Sequence, residues 1–138
     1  MNMARVVLAA VAATVADAFY GFVVYGNLLA GRFAAFPAVF RPAETGAAYL
    51  PVMFACIFVG MIAVAVIYAK GYEGRSGRQE GLRFGLLLAV LNAGYVCGTY
   101  YGILNISGRL AGLMALAGLG EWLLVGGAIG LVHKRAGV

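Results

Sequence analysis

One histidine, two cysteines, three prolines and five acidic residues are nearly all that this chain offers of the groups on which enzymes and metal proteins rely. A lone imidazole, His133, excludes a haem held by two histidines of one chain and reads as a residue at the membrane interface beside Lys134. Cys56 and Cys97 share no C-x-x-C motif and both lie inside apolar runs, where a thiol acts as a small packing residue. No Ser-His-Asp set and no cluster of metal ligands emerges, so the expectation is a protein that is not an enzyme and uses no cofactor or metal. Charge is scarce as well. Only 11% of the 138 residues are charged, against about 25% in an ordinary soluble domain.

What is abundant is apolar surface, at 64% of residues with a mean hydropathy of +0.95. A helix rises about 1.5 Å per residue and the hydrocarbon core is roughly 30 Å thick, so about 20 predominantly apolar residues make a span. Four windows qualify, running from about Val6 to Leu29, Leu50 to Tyr68, Leu82 to Leu104 and Leu110 to Val132. They lack the alternation of a barrel strand, and in lipid every backbone amide must be satisfied within its own segment. The predicted architecture is all-α: one transmembrane domain over residues 1–138, a four-helix bundle. Arg5, an apolar run and Ala16-Asp17-Ala18 have the outline of a signal peptide. The apolar stretch continues through Phe19 to Val24, however, so the first span is expected to be retained.

The basic residues are unequally shared between the two ends of such a bundle. Arg5, Lys70, Arg75, Arg78, Arg83, Lys134 and Arg135 fall on one side, and Arg32, Arg41 and Arg109 on the other. By the positive-inside rule both termini and the middle loop face the cytoplasm, giving an N-in/C-in, multi-pass protein of the inner (cytoplasmic) membrane. The net charge of +5 then serves topology and attraction to anionic lipid headgroups. Nucleic-acid binding is not indicated, because no basic stripe is interleaved with exposed aromatics.

Between the first two spans, Phe33, Phe36, Phe40 and Tyr49 stand among Pro37, Pro42 and Gly46, a composition suited to a loop lying on the membrane surface as an anchor. The hairpin from Lys70 to Gly81 is the one plainly polar stretch. Gly71 is placed to end the second helix in the left-handed conformation, and Ser76 with Gln79 has capping-box spacing for the third. Tyr25-Gly26 and Gly31-Arg32 are faintly echoed by Tyr101-Gly102 and Gly108-Arg109, as in a parallel repeat.

The 21 glycines carry packing information. Gly94, Gly98 and Gly102 recur every four residues in the third span, and Gly126 with Gly130 form one such pair in the fourth. Small residues at this spacing let helix backbones approach closely in lipid. The stripes predict close helix contacts, within one chain, in a homodimer or other homo-oligomer, or in a larger membrane complex.

Polar residues inside the spans are costly and therefore informative. Asp17, Asn92 and Glu121 each lie ten or eleven residues past the start of a span, about 15 to 17 Å deep and close to the midplane. An ionised Asp at that depth costs about 2.5 to 3.5 kcal/mol on insertion scales, and no Lys, Arg or His lies within any span interior to offset it. The expectation is that Asp17 and Glu121 are largely protonated and hydrogen-bonded to each other, to Asn92 or to Tyr20. Two such groups sharing one site discourage simultaneous ionisation, which suits exchange of a proton against a cation. Asn92 and Thr99 share a helical face, and Trp122 beside Glu121 is placed to line an aromatic wall with Tyr20, Tyr95, Tyr100 or Tyr101. Interhelical glue is the plainer role for such acids, at about 0.6 kcal/mol per polar contact.

Lys70-Gly71-Tyr72-Glu73-Gly74 followed by Glu80-Gly81-Leu82-Arg83-Phe84-Gly85 resembles the cytoplasmic hairpin of small bacterial four-span membrane proteins to which no activity is assigned. Four spans with an acid in the first also resemble the small multidrug resistance transporters. That resemblance implies a proton or cation site at Asp17. The long outer loop and the glycine-rich hairpin depart from it. Together these features predict a proton- or cation-coupled carrier or channel using midplane carboxylates, with a non-catalytic accessory or assembly subunit of a larger membrane complex as the alternative.

Overall fold

The computed structural model describes residues 2–133, and every regular element among them is helical. Four helices are long and apolar enough to cross a membrane: α1 (Met3–Leu28), α2 (Ala43–Gly71), α3 (Gly77–Ile103) and α4 (Gly108–His133). Each extends beyond the apolar run that marks it in the sequence. The extra turns carry charged residues such as Glu44, Arg78 and Arg109, which continue the helix beyond the apolar run.

α1 packs against both α2 and α4, and α4 packs along α3. α2 meets α3 through Tyr68, whose ring lies 5.3 Å from that of Phe84 and whose hydroxyl is 3.5 Å from the Gly77 carbonyl oxygen. This contact lies at the terminus end, which carries the start of α1, the end of α4 and the middle hairpin; the opposite, loop end carries residues 29–49 and 104–107. A stripe of one α1 face, Val6, Ala9, Ala10 and Ala13, is fully buried there against Met61 and Ala65 of α2 and Val125 and Ile129 of α4. Three of the four α1 side chains are alanine, so the helices approach closely and pack by van der Waals contact, which is what holds helices together in lipid.

The α3–α4 seam is closer still. A Cβ on Gly81 would fall on the Gly126 carbonyl, one on Gly85 on the Trp122 carbonyl, and one on Gly130 on the Gly77 carbonyl. The glycines of α3 that make this contact are Gly77, Gly81 and Gly85, paired with Gly126 and Gly130 of α4. Gly94 and Gly102 find nothing within contact distance and Gly98 only its own helix at Ala93, so the stripe singled out in the third span packs against no other element among the described residues. The register of close approach begins in the polar hairpin, ahead of the apolar window.

Two segments depart from α geometry. Gly21–Leu28 at the end of α1 and Asn92–Cys97 within α3 are π-helical. A π turn takes up an extra residue, so side chains beyond it rotate away from the face they would share in an α-helix. The hairpin also differs from its sequence reading. Gly71 stays within α2, and Gly74 is the residue with left-handed backbone, at φ 84°. Ser76 makes no capping bond; Glu80 instead reaches back, its carboxylate accepting from the backbone N–H of Glu73 at 3.1 Å and Arg75 at 2.5 Å. A carboxylate brings two charged acceptor oxygens, whose bonds are stronger than those to a neutral hydroxyl, and it also sits in the first turn of α3, where the helix dipole favours it.

The long loop folds back on the bundle. Phe33, Phe36, Val39 and Phe40 pack against Ile106, Leu110 and Ala111 at the start of α4, and the Arg41 guanidinium lies 3.8 Å over the Tyr49 ring.

Candidate functional site

Asp17 continues the buried α1 stripe by one turn beyond Ala13, and Glu121 continues the α4 stripe by one turn before Val125. Since the two stripes face each other, the two acids come together. Their carboxyl groups face each other across the α1–α4 seam, close enough to share a proton. The other Glu121 contact is at Oε2, which accepts from the Tyr25 hydroxyl at 2.9 Å. Asp17 is buried and Glu121 half-buried.

Tyr20 stands on the same side of α1 and donates to the Ala117 carbonyl oxygen at 2.7 Å. Its hydroxyl occupies the space a Cβ at Gly120 would need, so glycine there is what lets the ring lie against α4. The Tyr20 and Tyr25 rings meet edge to face at 6.3 Å, a favourable aromatic arrangement. The π segment is what allows Tyr25, five residues beyond Tyr20, to point back toward α4.

No cation compensates the pair. The single ion pair among the described residues joins Arg75 to Glu73 at 3.2 Å in the exposed hairpin. Among the described residues there is also no group of three or more His, Cys, Asp or Glu able to hold a metal ion. Toward the terminus end the pair is sealed by Val6, Ala9, Ala10, Ala13, Val125 and Ile129, all without exposed surface. On the loop side Tyr25 separates it from a cavity of about 270 Å³ bordered by the rings of Tyr25, Phe33, Phe40 and Tyr100 and by Asn92 and Met114.

Of the residues singled out in the sequence, Asp17, Glu121 and Tyr20 thus form one cluster. Asn92 lies beside it: its amide nitrogen abuts Gly118, one turn from Glu121, and its side chain borders the cavity. Thr99 does not join. Its hydroxyl turns back to the Tyr95 carbonyl of its own helix and the residue is exposed, because the π turn at Asn92–Cys97 rotates it off the Asn92 face. Trp122 points away from Glu121 into the α1–α2–α4 core, as adjacent positions on a helix must diverge by about 100°. Tyr95, Tyr100 and Tyr101 are all exposed, and of the three Tyr100 lines the cavity.

Tyr25 was not among the residues read as functional. The signal was present in its place on the far side of Gly21, but an α-helical count puts it on another face. Cys97 is buried, 3.8 Å from the Asn92 amide nitrogen, and Cys56 is exposed on α2; both are free thiols. His133 is buried at the terminus end, with Nδ1 3.1 Å from the Ile129 carbonyl and its ring 5.1 Å from that of Tyr68. It is the last residue of α4, packed against Tyr68 at that end of the bundle.

The fold defines a class, a multi-pass α-helical membrane protein with a polar cluster enclosed between two of its spans. Beyond that class, no family model, curated protein or solved structure matches the chain.

Proposed function

We propose that this protein is a small proton- or cation-coupled carrier or channel whose exchangeable site is the Asp17–Glu121 pair. The observation that supports the reading is two facing carboxyl groups packed among apolar side chains, with no ion pair to either among the described residues. Such a pair retains one proton readily, while full ionisation places two like charges in contact, so replacing that proton by a cation is the natural exchange chemistry. Tyr25 tethers Glu121 from the loop side, and the sealed terminus side directs exchange toward the loop end.

In this reading both termini face the cytoplasm and the loop end faces outward, in a bacterial inner membrane. The basic residues of the hairpin carry that orientation within the described part of the chain; Lys134 and Arg135 lie outside the described residues. The test joins two measurements on protein in liposomes. Infrared titration of the carboxyl C=O stretch should show a protonated band that changes in both Asp17→Asn and Glu121→Gln, and Asp17→Asn should abolish proton or cation flux while leaving assembly intact. Surface-like titration of both acids, or undiminished flux in the variant, overturns the proposal.

A second reading has its own support. Gly94 and Gly102 leave a small-residue face of α3 without an intrachain partner, the kind of face that receives another helix in a homodimer or larger complex. In that reading the protein is a non-catalytic accessory subunit. Native mass spectrometry from mild detergent separates the two by reporting copy number and co-purifying chains.

A further inference from the structure

We propose that the loop-end cavity is a binding site for a single-ring aromatic molecule bearing a hydroxyl or amino donor. Size comes first. Apolar cavities of about 150 Å³ take benzene, and drug-sized ligands need roughly 300 Å³ or more; at about 270 Å³ this one suits one substituted ring.

The lining specifies the ring. Tyr25, Phe33, Phe40 and Tyr100 come from three different parts of the chain, α1, the long loop and α3, and Met114 of α4 adds a polarisable sulfur. Ring centroids of Tyr25 and Phe33 stand 6.3 Å apart and those of Phe33 and Phe40 4.9 Å apart, so edges and faces are both presented to an occupant.

The polar atoms specify the donor. Tyr25 spends its O–H on Glu121, which leaves its oxygen to act only as an acceptor. Asn92 directs its amide nitrogen toward Cys97 Sγ at 3.8 Å and against Gly118, which leaves its carbonyl oxygen as the group free to bond. Tyr25 and Asn92 both line the space, and the acceptor capacity left on each is met by a ligand that donates. An acyl chain would leave both unmet.

The site stands apart from the exchange chemistry proposed for the acids, because occupancy requires neither carboxyl to ionise. Photolabelling of the protein in lipid nanodiscs with para-azidophenol tests it. Label is expected on peptides containing Val96, Tyr100 and Met114, with phenol protecting and anisole, the same ring without a donor, about fivefold less effective. Tyr25→Phe, which keeps the ring, should narrow that difference. Met114→Trp and, from the facing helix, Val96→Phe fill the space and should each abolish the label, so a folding failure of one leaves the other decisive. Label spread over lipid-facing positions such as Leu87 and Val90, equal protection by anisole, or labelling that survives both filled variants overturns the proposal. Loss of flux in Asp17→Asn with labelling retained would separate the two sites, and absence of flux altogether would leave the labelling result standing on its own.

Discussion

Asp17 of α1 and Glu121 of α4 meet because each is the next position on a buried small-residue stripe, one turn past Ala13 in one helix and one turn before Val125 in the other. The contact that excludes lipid from the alanines also excludes it from the acids. Burial and proximity to each other therefore have one cause, the close α1–α4 seam.

That coupling makes Ala13 a sensitive position. Ala13→Leu inserts bulk where no surface is exposed and should destabilise the fold by about 1–3 kcal/mol, while parting the acids. The expected readout is loss of the carboxyl–carboxyl infrared signature together with a lowered unfolding midpoint. Retention of that signature in a destabilised protein would show that the acids meet for another reason.

Tyr25→Phe removes the hydroxyl bonded to Glu121 and keeps the ring. A polar contact in a membrane contributes about 0.6 kcal/mol, so stability should fall only slightly. The Glu121 C=O band should shift clearly. Tyr20→Phe, which loses a bond to the Ala117 carbonyl and not to a carboxyl group, should lower stability comparably and leave that band in place.

The glycines divide into two groups with opposite expected behaviour. Gly81→Ala and Gly126→Ala set a methyl against backbone and should each cost about 1–3 kcal/mol in steric-trap or detergent unfolding. Gly94→Ala meets open space and should change stability by no more than about 0.5 kcal/mol. If Gly94→Leu then dissociates an oligomer without unfolding the chain, the face it occupies is an interface.

In the hairpin, Glu80→Ala removes the acceptor of two backbone N–H groups and should destabilise by about 1 kcal/mol. Ser76→Ala should be nearly silent, since that hydroxyl caps nothing. Gly74→Ala places a side chain at φ 84° and should cost about 1 kcal/mol. Thermal unfolding of the three variants ranks them; a costly Ser76→Ala with a silent Glu80→Ala would reverse the account of how α3 begins.

Helix existence was legible because hydrocarbon thickness sets a length that apolar runs must match, and four of them do. The shared depth of Asp17 and Glu121 was legible for the same reason, as depth follows from a count of residues. Azimuth was not. Thr99 and Tyr25 exchanged their expected standing because two π turns changed which side chains share a face, and nothing in the local apolar pattern marks such a turn. The close-packing glycines Gly77 and Gly81 of α3 were missed because hydropathy assigns that stretch to a polar hairpin, although the helix runs through it and carries their register on to Gly85 inside the apolar window.

By itself, then, the amino-acid order determined the solvent of this protein, the number of its spans and the depth of its acids, all of which depend on composition summed along a helix axis. Which faces meet depends on rotation about that axis, and rotation was decided only when backbone carbonyls, glycines and π turns came into contact. Tertiary structure therefore chose Tyr25 as the partner of Glu121 and set an aromatic cavity beside it.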